Sequence, residues 1–266
     1  MGSSGILAGR RGLIMGVAND HSIAWAIAKA AHEAGASLGF TYQGDAMLRR
    51  VKPLAESVGS DFLEPCDVMA EGDQQRVFDR IGNEWDRLDF VLHAIAFSDK
   101  NELKGRYVDT TAENFARTME ISCFSFTETA RCASPLMTEG GSLLTLSFAG
   151  SERWMPSYNV MGVAKAALET SVKYLAVDLG NQNFRVNAIS AGPMRTISGA
   201  AVGDARYVYG YARDHAPLMR AITHEDVGGA GVYFLSDLST GVTGETHHVD
   251  AGYNIMGMVN PHQLDR

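Results

Sequence analysis

The sequence predicts an α/β fold: one doubly wound parallel sheet of about seven strands, helices on both faces, a single domain over 1–266. Three observations predict it. Short apolar runs alternate with longer amphipathic segments along the chain. Several of those runs are almost wholly apolar, as parallel strands covered on both faces must be. Strand–helix alternation of this kind implies right-handed crossovers onto one sheet. At 266 residues and 45% hydrophobic content the chain can bury one large core.

The expected strands are GLIMGV (12–17), SLGFTY (37–42), DFLEP (61–65), DFVLHAIA (89–96), SLLTLSF (142–148), RVNAIS (185–190) and THHVD (246–250). Between the first two lies SIAWAIAKAAHEAG (22–35), rich in small apolar residues at helical spacing. GDQQRVFDRIGNEW (72–85) places Val77, Ile81 and Trp85 on one helical face. The segment 197–222, between a strand and the next helix, is rich in small and aromatic residues. Ligands of doubly wound folds bind beyond the carboxyl ends of the strands, so this insertion is a candidate lid; an ordinary surface helix pair is the competing reading.

Composition excludes some classes. Acidic residues outnumber basic ones, 31 to 23, for a net charge of −8, which argues against general nucleic-acid binding. Apolar runs fall short of the roughly 20 residues of a membrane span. The opening MGSSGILAGRRG lacks a leader's apolar core, and Ile6 stands where a myristoylation signal wants Ser or Thr. Cys66, Cys123 and Cys132 form no C-x-x-C pair and read as reduced thiols of a cytoplasmic protein. His93, His215, His224, His247 and His248 fall on different expected elements without ligand spacing, so no metal site is expected.

The first strand runs into Gly16-Val17-Ala18-Asn19-Asp20-His21, with Ser22 as N-cap of the following helix. Small residues at 16 and 18 permit close backbone approach, and open N–H groups at a helix start suit a pyrophosphate. Alone, such a turn is shared by many α/β proteins. The second strand ends at Gln43, where dinucleotide folds often carry an acid for the ribose hydroxyls. Gln43 bonds ribose or adenine without charge, while Arg49 and Arg50 lie too far into the next helix to select a 2′-phosphate. NADH is therefore favoured over NADPH. Asp67, after the third strand, is placed for the adenine edge or for a helix cap.

In SFAGSERWMPSYNVMGVAK (147–165), Tyr158 and Lys165 stand seven residues apart. Seven residues is about two helical turns, about 10 Å along the axis, on one face. A phenol beside an ammonium can stabilise a developing oxyanion; two unrelated polar positions on a helix is the alternative. Here the chain resembles the short-chain dehydrogenase/reductase superfamily. Most reductases there use Tyr-x-x-x-Lys, but position 162 is Gly. The Tyr-x6-Lys spacing is the mark of the bacterial enoyl-(acyl-carrier-protein) reductases. GVANDHSIA, FTYQ, CDV, HAIAF, YNVMGVAK, RVNAISAGPMRT, HEDVGGAGVYFLSDLSTGVTGE and VDAGYNI resemble that branch too, in order, from about residue 8 to 258.

The resemblance implies a Rossmann-like fold, reduction of trans-2-enoyl thioesters by NADH, an acyl-carrier-protein-linked substrate and a homotetramer. It implies that Gly16, Ser22 and Ile23 line the pyrophosphate turn and that Gln43, Asp67 and Val68 hold the adenosine half. Ile95 would pack near the adenosine ribose, and Ser98 would meet the acyl group through its backbone. Lys165 would bond the nicotinamide ribose, and Met194 and Thr196 the nicotinamide amide and phosphates. Tyr158 would bond the substrate oxygen.

One residue departs from the pattern. The common bacterial members carry a second Tyr ten positions before the active one; here Ser147 is followed by Phe148, which has no hydroxyl. The mycobacterial long-chain relatives resemble this chain in having Phe there. Milder departures are Ala94 and Ala96 in HAIAF. The Met and Tyr residues of 194–219 are candidates for an acyl channel or for plain core. Arg195, Arg206, Arg213 and Arg220 are a candidate basic rim for an acidic carrier protein. Two other readings stay open: a carbonyl or alcohol oxidoreductase of the same superfamily, and a non-catalytic nucleotide-binding paralogue.

Overall fold

The computed structural model describes residues 5–196 and 204–258. Seven strands form one parallel sheet in the order β3-β2-β1-β4-β5-β6-β7. They are β1 (Arg11–Met15), β2 (Ser37–Tyr42), β3 (Leu63–Pro65), β4 (Phe90–His93), β5 (Gly141–Ser147), β6 (Phe184–Ala191) and β7 (Thr246–Val249). Each lies within, or within a residue or two of, an expected apolar run. The expected fourth strand is shortened: pairing ends at His93, and Ala94–Ala96 leave the sheet as loop.

The helices are α1 (Ile23–Glu33), α2 (Gly44–Ser57), α3 (Asp73–Glu84), α4 (Ala112–Met119), α5 (Ser125–Ala133), α6 (Asn159–Gly180), α7 (Ala205–His215) and α8 (His224–Leu235). A π-type turn, Glu120–Phe124, joins α4 to α5.

Strand alternation divides the core in two. Ile14, Leu144 and Ile189 point to the face covered by α1, α2 and α8. Leu13, Met15, Leu143 and Val186 point to the face covered by α3, α5 and α6. On the first face α8 comes close to α1 because it presents glycine: a Cβ on Gly231 would stand 2.6 Å from the Ile27 side chain.

Strand order reverses between β1 and β4, whose registers align Met15 with His93. The two chains diverge there towards opposite faces, and this opens the crevice in which doubly wound folds bind ligands. Gly16 turns out of β1 at φ 98°, and a Cβ there would meet the Ala94 carbonyl oxygen at 2.3 Å. Only glycine fits that combination of dihedral and contact.

The cysteines are free and buried, and burial pushes the Cys66 thiol up to about 12, which keeps it inert. The first four residues of the opening segment, and 197–203 of the candidate lid, lie outside the described residues.

Candidate active site

A cavity of about 630 Å³ lies at the carboxyl ends of β1, β4, β5 and β6. Of the residues expected at a site, Gly16, Ser22, Ile23, Ser98, Tyr158, Lys165, Met194 and Thr196 line it. Gln43, Asp67, Val68 and Ile95 do not. Gln43 is exposed at the end of β2, and Asp67 and Val68 follow β3, so they sit at the same edge of a parallel sheet, on its β3-β2-β1 half. The Asp67 carboxylate accepts the Met69 N–H at 3.0 Å within a local turn, and it does not cap a helix, since Gly72 is the N-cap of α3. Val68 and Ile95 are partly buried against the core.

Ser22 takes the N-cap position of α1 with extended dihedrals, but its side chain makes no cap bond to the helix. Its hydroxyl donates to the Asn19 carbonyl at 2.6 Å instead of accepting from the helix. First-turn amides have no helical carbonyl behind them. Those of Ile23 and Ala24, both on the cavity wall, remain for an anion. With Gly16 drawn tight against Ala94, the residues present fit a dinucleotide pyrophosphate.

Tyr158 stands at the N-cap of α6, one position before the helix proper. It is flanked by two residues in the left-handed region, Ser157 (φ 54°) and Asn159 (φ 33°), which cost energy unless held. Both are held: the Ser157 hydroxyl donates to Asp204 at 2.8 Å, and the Asn159 amide donates to the Glu102 carbonyl at 3.1 Å. The Tyr158 ring is buried among Leu103, Met155, Val160 and Met161, with Phe148 and Val208 packed alongside. Burial, assisted by the charge of Glu169, pushes its phenol upward, so it stays protonated and able to donate.

Lys165 is 7% exposed, and its ammonium donates to the Leu146 carbonyl at 2.7 Å. Burial pulls it down from 10.5 to about 8, against the raising effects of Cys123 and Glu169. Position 162 is Gly because a Cβ there would meet the Gly150 carbonyl oxygen at 2.6 Å.

The loop after β4 forms the opposite wall. The π-type turn presents Ser122, whose hydroxyl lies 3.0 Å from the Phe97 N–H and 3.1 Å from its carbonyl. Ser98 lines the cavity, and its hydroxyl accepts from the Thr118 hydroxyl (2.9 Å) and the Asn114 amide (3.2 Å).

Several of these residues were missed by sequence reasoning. Glu169, four after Lys165, was legible as an i+4 neighbour on one helical face. Leu103, Met155 and Met161, rather than the tyrosines of 207–211 and Met219, supply the apolar wall; of the Met and Tyr residues of 194–219 only Met194 lines the cavity. No local pattern marks Asn114, which becomes a loop anchor only through the fold. His93 is wholly buried between Ser125 (2.8 Å) and Thr145 (3.4 Å), and burial holds it near 3, neutral and structural.

A doubly wound sheet with a crevice at its reversal point, anion-ready amides on one wall and a Tyr–Lys pair on the other defines a dinucleotide-dependent oxidoreductase. Comparison with known proteins narrows the class. A family model described as enoyl-(acyl carrier protein) reductase matches residues 16–254. Enoyl-(acyl-carrier-protein) reductase (NADH) 2 of Rhizobium meliloti is 62% identical over 255 residues, 96% of this chain and 95% of that protein. The Rickettsia felis enoyl-(acyl-carrier-protein) reductase (NADH) is 54% identical over 255 residues, 96% of this chain and 98% of its own length. The Anaplasma phagocytophilum enoyl-(acyl-carrier-protein) reductase, crystallised with NAD, superposes with a TM-score of 0.94 at 55% identity, over 98% of this chain and 99% of that one. The chain belongs to the enoyl-(acyl-carrier-protein) reductase family.

Proposed function

We propose that this protein reduces the C2–C3 double bond of trans-2-enoyl-(acyl-carrier-protein) thioesters with NADH, in fatty-acid elongation, with Tyr158 and Lys165 as its chemical centre. The observation that carries the reading is one cavity lined by Gly16, Ile23, Tyr158, Lys165 and Met194, with the start of α1 at one end and apolar side chains around Tyr158.

NADH, when bound, supplies the hydride taken up at C3 of the enoyl group. The α1 amides of Ile23 and Ala24 would hold its pyrophosphate, and Lys165, which now bonds the Leu146 carbonyl, would hold the nicotinamide ribose hydroxyls. Gln43, Asp67, Val68 and Ile95 serve the adenosine half, and Met194 and Thr196 the nicotinamide end. Tyr158 donates a hydrogen bond to the thioester oxygen, which carries negative charge as the enolate forms. A donor fixed in a dry pocket needs no reorganisation at that moment, so its effect falls on the transition state. Protonation at C2 gives the saturated thioester. Phe148 adds no donor, so a single phenol serves.

The candidate lid, 197–222, contributes α7, and its Ala205 and Val208 reach the cavity wall. Of the basic rim, Arg213 pairs with Asp214 at 2.6 Å, Arg220 pairs with Asp226 at 2.5 Å, and Arg195 lies 4.7 Å from the Tyr209 ring centre. That leaves Arg206, exposed on α7, as the arm best placed for an acidic carrier. We further propose a homotetramer working in the cytoplasm; among the described residues no helix is long and apolar enough to cross a membrane. Following NADH absorbance with an enoyl thioester, then with β-ketoacyl and simple carbonyl substrates, tests the reading. Turnover confined to the enoyl thioester supports it. Turnover of carbonyl substrates instead, or NADH binding without turnover, overturns it in favour of an alcohol-type oxidoreductase or a non-catalytic paralogue.

A further inference from the structure

Glu169 stands four residues after Lys165 on α6, on the side of the helix that carries Tyr158, Gly162 and Lys165. Its Oε1 accepts the Ser147 hydroxyl and, at 2.5 Å, the Ser151 hydroxyl. Ser147 ends β5, and Ser151 ends the short 3-10 turn Ala149–Ser151. Between these anchors lie the two residues that back the Tyr158 ring. The Phe148 ring meets it edge-on at 5.1 Å, and Gly150 sits so close that a Cβ would stand 2.3 Å from the ring. Lys165 holds the preceding residue of the same strand end through the Leu146 carbonyl. One carboxylate thus ties the support of Tyr158 to the helix that carries Lys165.

Resting on the reading of Tyr158 and Lys165 given above, we propose that Glu169 is a positioning residue of the reduction: from the helix face that carries Lys165 it pins the Ser147–Ser151 turn beneath the Tyr158 ring.

The charge balance around Lys165 gives this placement a pH signature. The titratable groups facing it are His93 from β4, which is neutral, Cys123 from the π-type turn, Tyr158 from the N-cap of α6 and Glu169 from α6; Asp99 and Lys100 lie on the cavity margin. Burial lowers Lys165 most; Cys123 and then Glu169 raise it, and the Glu169 charge adds to burial in disfavouring a tyrosinate at Tyr158. Both effects favour a protonated donor pair. The charge of Glu169 and its reach can be varied separately.

Glu169→Gln keeps the volume and an accepting oxygen but removes the charge. Glu169→Asp keeps the charge but is one methylene too short to meet both hydroxyls. The experiment measures kcat, and kcat/KM for NADH against pH, for both variants and for Ser151→Ala, with Tyr158→Phe and Lys165→Ala as controls and a melting curve for each. Glu169→Gln is expected to shift the alkaline inflection of kcat/KM for NADH to lower pH. Glu169→Asp and Ser151→Ala are expected to leave the inflection in place and to lower kcat by about 3- to 30-fold. An unmoved inflection in Glu169→Gln, or unchanged kcat in both Glu169→Asp and Ser151→Ala, overturns the proposal. If Glu169→Gln does not fold, the Ser151→Ala and Glu169→Asp kcat values decide. Normal activity in Tyr158→Phe and Lys165→Ala would instead overturn the site assignment itself, so the two failures are distinct.

Discussion

The Phe148 and Tyr158 rings meet edge-on, 5.1 Å between centroids at 62°, so the residue that lacks the second hydroxyl still acts as the wall that orients the first. Such pairs contribute about 0.5–1.5 kcal/mol beyond their buried area. Phe148→Tyr should leave kcat with an enoyl thioester within about threefold, since the edge contact survives and Tyr158 already suffices as donor. Phe148→Ala, at a half-buried position, should cost about 2 kcal/mol of stability and lower kcat about tenfold as the Tyr158 ring loses its backing. Steady-state kinetics and denaturant unfolding check both.

Lys165 predicts an alkaline limit. Buried, it titrates at about 8 instead of 10.5, so it is an ammonium below pH 8 and neutral above. The kcat/KM for NADH, which reports the free enzyme, should therefore fall roughly tenfold per unit well above pH 8. Lys165→Ala should raise the KM for NADH about 10- to 100-fold at pH 7 and abolish that alkaline limb. A limb that persists in the variant would assign it to another group.

Gly16 is a single-atom test of the nucleotide turn. At φ 98°, with the Ala94 carbonyl 2.3 Å from where a Cβ would stand, Gly16→Ala must displace the β1–α1 turn or the β4 loop. The variant should lose more than about 1 kcal/mol of stability, and its NADH affinity should fall further than its affinity for an acyl thioester. Titration of each ligand by fluorescence, beside a melting curve, checks the asymmetry.

His93 predicts acid sensitivity with a defined sign. Its folded value, about 3, lies below the ordinary 6.5, so the unfolded chain binds the proton more readily. The stability it confers is present above pH 6.5 and is lost as pH falls from 6.5 towards 3. His93→Gln, which retains hydrogen-bonding capacity toward Ser125 and Thr145, should flatten the fall in melting temperature over that window. A fall as steep as in the parent protein would place the acid response elsewhere.

The strands were legible because a parallel sheet covered on both faces demands apolar runs, and Leu13, Ile14, Leu143 and Leu144 are such residues by composition alone. The Tyr158–Lys165 pair was legible as spacing, though Tyr158 proved to sit at the helix cap, held by left-handed neighbours that no pattern announces. Ser22 was legible as the first cap by its type and position, whereas its donation to the Asn19 carbonyl depends on the local turn. Glu169 and Asn114 act on loops 18 and 16 residues away in sequence, through Ser151 and Ser98. Contacts of that kind exist only once the sheet has brought the loops together.

The most direct measurement is kcat for NADH oxidation with a trans-2-enoyl thioester, taken side by side for the parent protein and Tyr158→Phe, with NADH affinity measured on both. The expected result is turnover by the parent, a loss of about 100- to 1,000-fold in the variant, and NADH affinities within about twofold of each other. Equal kcat values in the two proteins would contradict the assignment of the oxyanion donor to Tyr158.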